Sequence, residues 1–312
     1  MCGITGIYNF EASQGIEQQT LRKMTDVLHH RGPDGSGLYA KENVGLGHRR
    51  LSIIDLTTGD QPMFNKDKSI AIVLNGEIYN YIELREQLIK LGCRFTTTSD
   101  TEVVIQAYET WGVDCLEKFN GMWAFALWDD RKKQLFISRD RIGEKPVFYS
   151  TWNNSLVFGS EIKSLFEFGV DRTPMLELLE VYMVTTSIPS PFTFYKHIHK
   201  LSPGHYIIAN ASGFKEHKYW DLPEIDEDNM LTDKQFIYEQ FENMLTDSVK
   251  IRMRSDVPYG AFLSGGLDSS SIVALMSEIS SYPVNTFTIG FDDSSFDESK
   301  LAQEVADKFK TK

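Results

Sequence analysis

The chain has 312 residues, 41% hydrophobic and 24% charged, a globular composition that argues against disorder, collagen-like and coiled-coil architectures. Its 32 basic and 44 acidic side chains leave a net charge of −12, which disfavours a broad nucleic-acid-binding face but not a small anion site built from backbone amides. Three cysteines, Cys2, Cys93 and Cys115, form no disulfide framework and fit a reducing cytoplasm; no apolar run approaches membrane-spanning length, and Met1-Cys2-Gly3 opens no secretory leader.

In chain order, Ile4–Phe10 reads as a short strand ending in turn residues. Leu21, Met24, Val27 and Leu28 recur at helical spacing, and Gly32–Gly37 is a turn cluster. Val44–Ile54 and Ser69–Asn75 read as strands. Tyr79–Leu91 and Thr101–Trp111 read as helices, the second with Ser99 or Asp100 as its N-cap. Met122–Trp128, Gln134–Arg139, Val147–Thr151 and Leu156–Phe158 form a run of strands with hairpin joints at Asp129-Asp130 and Asn153-Asn154. Helices set between blocks of strands predict an α+β layered domain over residues 1–210.

Residues 211–231, acidic around Asp221–Asp228 and containing Pro223, read as a linker. From 232 to 312 the pattern changes. Phe236, Ile237, Phe241, Met244, Leu245 and Val249 mark a long amphipathic helix; a strand at Tyr259–Leu263, a helix at Ser269–Ser277, a strand at Asn285–Phe291 and a helix from Lys300 follow. Strand, helix, strand predicts the start of a parallel sheet. Two strands cannot cover their own apolar faces, so 232–312 is expected to be the N-terminal part of a larger domain, poorly ordered alone.

Cys2 is the sharpest chemical signal. Removal of Met1 would leave it N-terminal, with a thiol and an α-amine on one residue. An amine with a pKa near ~7.7–8.0 can take the thiol proton at neutral pH. An oxyanion would need donors. The Asn75 amide and the Gly76 N–H suit that purpose, although Asn-Gly is also an ordinary hairpin turn. Arg49 and Arg50 alternate along a strand, so one can point inward to bind a carboxylate while the other is solvated. Glu77 and Asp100 are carboxylates suited to an ammonium group.

Leu263-Ser264-Gly265-Gly266-Leu267-Asp268-Ser269-Ser270 follows a strand and opens a helix. Its backbone N–H groups and serine hydroxyls suit a phosphate, and Asp268 suits a Mg²⁺ carried by a nucleotide; the spacing is not that of a Walker A loop. His197 and His199 would share a strand face, but with no third ligand nearby they read as ordinary strand histidines.

Met1-Cys2-Gly3-Ile4, His30-Arg31-Gly32-Pro33-Asp34, Gly47-His48-Arg49-Arg50-Leu51-Ser52, Asn75-Gly76-Glu77-Ile78-Tyr79-Asn80 and Ser99-Asp100-Thr101-Glu102 together resemble the class II glutamine amidotransferases. These are N-terminal nucleophile hydrolases with a four-layer αββα sandwich. The resemblance implies that Cys2 forms a glutamyl thioester and that Asn75 and Gly76 form the oxyanion hole. Arg50 would hold the glutamine α-carboxylate, Glu77 and Asp100 its amino end, and Ile53 and Ile54 would line the pocket.

The second motif resembles the pyrophosphate loop of ATP pyrophosphatases. That likeness gives ATP-binding roles to Leu263, Ser264, Gly265, Gly266, Asp268, Ser269, Ser270 and Ile289, with Leu263 and Ile289 against the adenosine. Cys2 followed by this loop resembles the glutamine-hydrolysing asparagine synthetases. Ser138–Pro146, Phe158–Lys163 and Leu201–His205 add to the likeness. It implies a cytoplasmic ligase that uses glutamine, MgATP and a carboxylate, aspartate first, with ammonia passing between its sites. No prosthetic group, nucleic acid or membrane is implied, and a homodimer is compatible. Two alternatives stand beside this reading: the same chemistry on another carboxylate, of a sugar or secondary metabolite, and a non-catalytic regulatory module of the same fold.

Overall fold

A computed structural model describes residues 1–226, 228, 230–293 and 295–312. They fall into two compact units, Met1–Pro223 and Glu224–Lys312. In the first, β1 (Gly3–Asn9) leads to α1 (Gln18–Asp26), the hairpin β2 (Gly35–Lys41) and β3 (Val44–Arg50), the short β4 (Met63–Phe64) and β5 (Ile70–Ile78). Helices α2 (Tyr81–Lys90), α3 (Asp100–Trp111) and α4 (Cys115–Lys118) come next. Strands β6 (Gly121–Asp129), β7 (Gln134–Arg139), β8 (Phe148–Trp152) and β9 (Ser155–Gly159) follow, then α5 (Ile162–Phe168), α6 (Leu179–Thr185), β10 (His199–Lys200), β11 (His205–Asn210) and β12 (Gly213–Lys218).

These strands make two antiparallel sheets, ordered β10-β8-β9-β1-β3-β2 and β12-β11-β7-β6-β5-β4. Alternation along each strand supplies two apolar faces per sheet. Ile4, Tyr8 and Leu46 meet Val73, Ala124 and Ile137 between the sheets. On the outer face of the first sheet, Ile7 and Val157 pack with Leu21 and Met24 of α1 and Leu165 of α5. On the outer face of the second, Ile72, Leu74 and Phe125 pack with Leu84 of α2 and Val104 of α3. The result is the four-layer αββα sandwich that the family resemblance implied. A strand buried on both faces, such as β5 with Ile70-Ala71-Ile72-Val73-Leu74, therefore reads as an unbroken apolar run.

The structure corrects several boundaries. Gly35, Ser36 and Gly37 of the turn cluster open β2 and pair with Arg50, Arg49 and His48. Strand β5 runs through Asn75 and Gly76 to Ile78 rather than ending there, because β6 pairs with it along its whole length. The linker expected over 211–231 begins too early. Residues 213–218 form the edge strand β12, paired with β11, with Phe214 against Tyr149 and His217 stacked on Tyr206. A solvated edge strand of mixed polarity carries no apolar alternation to reveal it. Glu227 and Asn229 of that linker lie outside the described residues.

In the second unit, α7 (Lys234–Arg252) is capped by Asp233, whose side chain accepts the Gln235 and Phe236 N–H groups. Strands β13 (Gly260–Phe262) and β14 (Asn285–Phe287) pair in parallel around α8 (Leu267–Ile279), and α9 (Ser299–Phe309) follows. The elements are formed where poor order was expected, because Val249, Met276 and Val284 make one small core and Leu263, Val273 and Ala302 another. Much of the apolar surface stays open, including Phe241, Met244 and Phe262.

Candidate active site

At one end of the first unit a cavity of about 200 Å³ is lined by Cys2, Arg50, Ile53, Ile54, Asn75, Gly76, Glu77 and Asp100. These eight residues, spread over a hundred positions, are the ones the sequence singled out. Met1, Leu51, Gln61, Thr101, Met122 and Lys145 also line it.

Cys2 immediately precedes β1 and is held at both ends. The Leu51 N–H points to its Sγ at 3.4 Å. Its carbonyl accepts Arg31 Nε at 2.9 Å, and Arg31 in turn pairs with Glu161 at 3.0 Å. Burial pushes the Cys2 thiol up. The chain's terminal amine, on Met1, is pushed down by burial, with Arg31 and Lys145 adding to that and Cys2 and Glu77 opposing it.

Asn75 lies on the same face of β5 as Ala71 and Val73, which aims its side chain between the sheets, toward β1. It is fully buried, and neither its Nδ2 nor its Oδ1 has a hydrogen-bond partner among the described residues. Gly76 has φ +156°, and a Cβ there would sit 2.1 Å from the Met122 carbonyl oxygen. Only glycine lets β5 approach β6 so closely at this point.

The N-terminus of α3 settles the capping alternatives. Ser99 is the cap, its side chain accepting the Thr101 N–H, so the Asp100 carboxylate is released from that task. Asp100 Oδ2 instead accepts the Ile78 N–H at 3.0 Å. Burial pushes its carboxyl up to about 6. Burial, with the nearby Asp100, also raises Glu77, and burial lowers the Lys145 ammonium.

Strand alternation separates the two arginines. Arg49 turns outward to Asp26 at 2.5 Å. Arg50 is buried; its Nη1 donates to Asp60 at 2.8 Å, and Nη2 to the Ile54 and Asp55 carbonyls at 3.3 and 2.5 Å. The loop that presents Ile53 and Ile54 is therefore wrapped around the guanidinium.

Among the lining residues to which sequence reasoning gave no role are Thr101, Lys145, Gln61 and Met122. Thr101 and Lys145 stood inside quoted motifs and could have been found there. Gln61 and Met122 carried no local signal; the structure brings them in through the loop after Arg50 and through the strand beside Gly76.

In the second unit, Leu263, Ser264, Ser269 and Ile289 line a separate cavity of about 360 Å³. Gly265, Gly266, Asp268 and Ser270 occupy the adjoining loop and the first turn of α8. Ser264 Oγ and Ser269 Oγ are 3.0 Å apart, and the Gly266 N–H donates to Ser264 Oγ at 3.3 Å. Gly265 has φ +80°, and its Cβ would meet Leu301 at 2.6 Å. Ser270 Oγ is buried without a partner among the described residues. No group of three or more His, Cys, Asp or Glu that could hold a metal ion gathers among the described residues, and Glu298 lines the cavity with Ser264 and Ser269. His199 lies in β10 against Tyr149, and His197 lies outside the strands against Trp152, so they do not form one donor set.

The αββα sandwich is the fold of the N-terminal nucleophile amidotransferases. A solved structure of glutamine phosphoribosylpyrophosphate amidotransferase from B. subtilis, complexed with ADP and GMP, superposes with a TM-score of 0.54 over 95% of this chain and 68% of its own, at 18% identity. Residues 1–220 match the family model of the glutamine amidotransferase domain, and residues 240–312 that of asparagine synthase. The chain belongs to the glutamine amidotransferase domain family. A protein of Methanocaldococcus jannaschii named as a glutamine-hydrolysing asparagine synthetase is 40% identical over all of this chain and 64% of its own length. The Gibberella zeae protein named amidase chry2 is 35% identical over 98% of this chain and 49% of its own. The chain thus spans between about half and 64% of the length of these two curated relatives. Among the described residues, no helix is long and apolar enough to cross a membrane.

Proposed function

We propose that the protein is a glutamine-dependent, ATP-dependent ligase that amidates a carboxylate, with aspartate as acceptor and asparagine, glutamate, AMP and pyrophosphate as products. The observation that carries the first half-reaction is Asn75. A buried amide with both polar atoms unpaired costs about 1–3 kcal/mol per group, and it shares a cavity with Cys2.

Once Met1 is removed, the Cys2 amine takes the thiol proton and Sγ attacks the glutamine side-chain amide. Asn75 Nδ2 and the Gly76 N–H donate to the oxyanion. Collapse expels ammonia, the amine returning the proton, and leaves a glutamyl thioester. Water, deprotonated by the same amine, releases glutamate. Arg50 binds the substrate α-carboxylate while Glu77 and Asp100 bind its ammonium. Ile53 and Ile54 wall the pocket.

The residues of the second site fit a nucleotide: a glycine held at positive φ, a helix N-terminus and an orphaned Ser270 hydroxyl. Ser264, Gly265, Gly266, Ser269 and Ser270 would hold the pyrophosphate portion of ATP, with Leu263 and Ile289 beside the adenosine. Mg²⁺, for which Asp268 is the carboxylate of the loop, would neutralise phosphate charge when bound. All three thiols are free, in keeping with a cytoplasmic setting.

Cys2→Ala is the test. It should abolish glutamine-supported product and leave product from added ammonium salt; retained glutaminase activity overturns the assignment. The amidase-named relative supports a second reading, in which the acceptor is another carboxylate. Rates with aspartate against a panel of other carboxylates decide between them.

A further inference from the structure

Beyond β4, one edge of β5 is open. Antiparallel pairing with β6 turns the peptide groups of alternate β5 residues toward β6 and the others away. Strand β4 meets β5 only at Ile72 and Ala71. From there on, the outward peptide groups are those of Leu74, Gly76 and Ile78. The Leu74 N–H donates to Gln61 Oε1 at 2.6 Å, and the Leu74 carbonyl lies 3.0 Å from His48 Nε2. The Ile78 N–H goes to Asp100. Gly76, between them, is left facing the cavity that holds Cys2.

The other end of Gln61 reaches a different element. Its Nε2 donates to Thr101 Oγ1 at 3.2 Å, in the first turn of α3 beside Asp100. One side chain therefore ties the strand that carries Asn75 and Gly76 to the helix terminus that carries Asp100. Among the described residues Asn75 makes no side-chain hydrogen bond that could aim it, so its direction depends on the backbone around it.

We propose that Gln61 is a positioning residue of the glutaminase site, a strut that sets the distance and angle between the Asn75–Gly76 donors and the Asp100 carboxylate. This rests on the function proposed above. The strut does not take part in bond making. It keeps the oxyanion donors where the tetrahedral intermediate forms while the amino acid is held at its other end, and small misplacements there lower kcat more than substrate affinity.

The experiment is steady-state glutaminase kinetics with the Met1-processed protein, with thermal unfolding run in parallel. Gln61→Met keeps the length of the side chain and removes both bonds; kcat should fall roughly 10- to 100-fold, with KM changed less than threefold. Gln61→Glu keeps an acceptor for the Leu74 N–H and a second oxygen that can accept the Thr101 hydroxyl, so it should recover most of the lost rate. A wild-type kcat in Gln61→Met overturns the proposal, and so does a Gln61→Glu no better than Gln61→Met. Should Gln61→Met unfold, Thr101→Val cuts the far end of the strut alone: a fall in kcat supports the proposal and an unchanged kcat overturns it. An inactive wild type instead sinks the functional reading itself, which separates the two failures.

Discussion

Asp100 Oδ2 accepts the Ile78 N–H at 3.0 Å, joining the first residue of α3 to the last residue of β5. Because Ser99 caps the helix, the carboxylate is available to close the strand edge and to line the cavity at once. The same bond brings an acid into a place from which water is excluded, and that has measurable consequences.

Burial raises the Asp100 carboxyl from 3.8 to about 6. Between these values the folded chain holds the proton more tightly than the unfolded one. Stability from this group is present at low pH and lost as pH rises through that window. Asp100→Asn keeps an acceptor for Ile78 and removes the buried charge. It should stabilise the protein at pH 7.5 by on the order of 2 kcal/mol in urea unfolding, while raising KM for glutamine at least tenfold. A destabilised variant with unchanged KM would contradict this.

The pH profile of the glutaminase follows from the same groups. In the proposed function, protonation of Asp100 near pH 6 would remove attraction for the substrate ammonium, with Glu77 also raised by burial, so KM should climb as pH falls through 6. The base in the Met1-processed chain is the Cys2 amine, whose ordinary range is ~7.7–8.0, so kcat/KM should rise with pH through that range and then level off. A profile still rising above pH 9 would point to the thiol as the limiting group.

Glu102 binds the loop before α3. Its carboxylate accepts the Thr96 and Thr97 N–H groups at 2.9 and 2.7 Å and both threonine hydroxyls. Glu102→Ala leaves these donors unmatched and should cost about 3 kcal/mol of stability, seen as a lowered urea midpoint. Glu102→Gln should lose less, since it keeps one acceptor oxygen.

Gly76→Ala tests the close approach of β5 to β6. The added methyl would lie 2.1 Å from the Met122 oxygen at a φ of +156°. The strand must shift, and glutamine hydrolysis should fall at least 100-fold even where the protein still folds. Wild-type turnover in this variant would mean that the Gly76 N–H has no part in the oxyanion site.

The residues that meet in the cavity were legible because they sit in short runs: Cys2 behind Met1, Arg50 before Leu51-Ser52, Asn75-Gly76-Glu77, and Asp100 after a capping serine. The layered fold was legible from periodicity, since α1 buries one apolar face and the inner strands bury both. Strand β2 was hidden because Gly35-Ser36-Gly37 is as good a turn as a strand, and only its pairing with β3 decides for the strand. Edge strand β12 was hidden for lack of a second apolar face.

By itself, the sequence determined which residue types could act and where the longer helices and most of the longer strands lie, because both are written in neighbouring side chains and their spacing. Tertiary structure alone decided that Ser99 rather than Asp100 caps α3, that burial lifts the Asp100 carboxyl to about 6, and that Gln61 spans from Leu74 to Thr101. Burial and open strand edges arise from contacts between residues distant along the chain, so no local pattern records them.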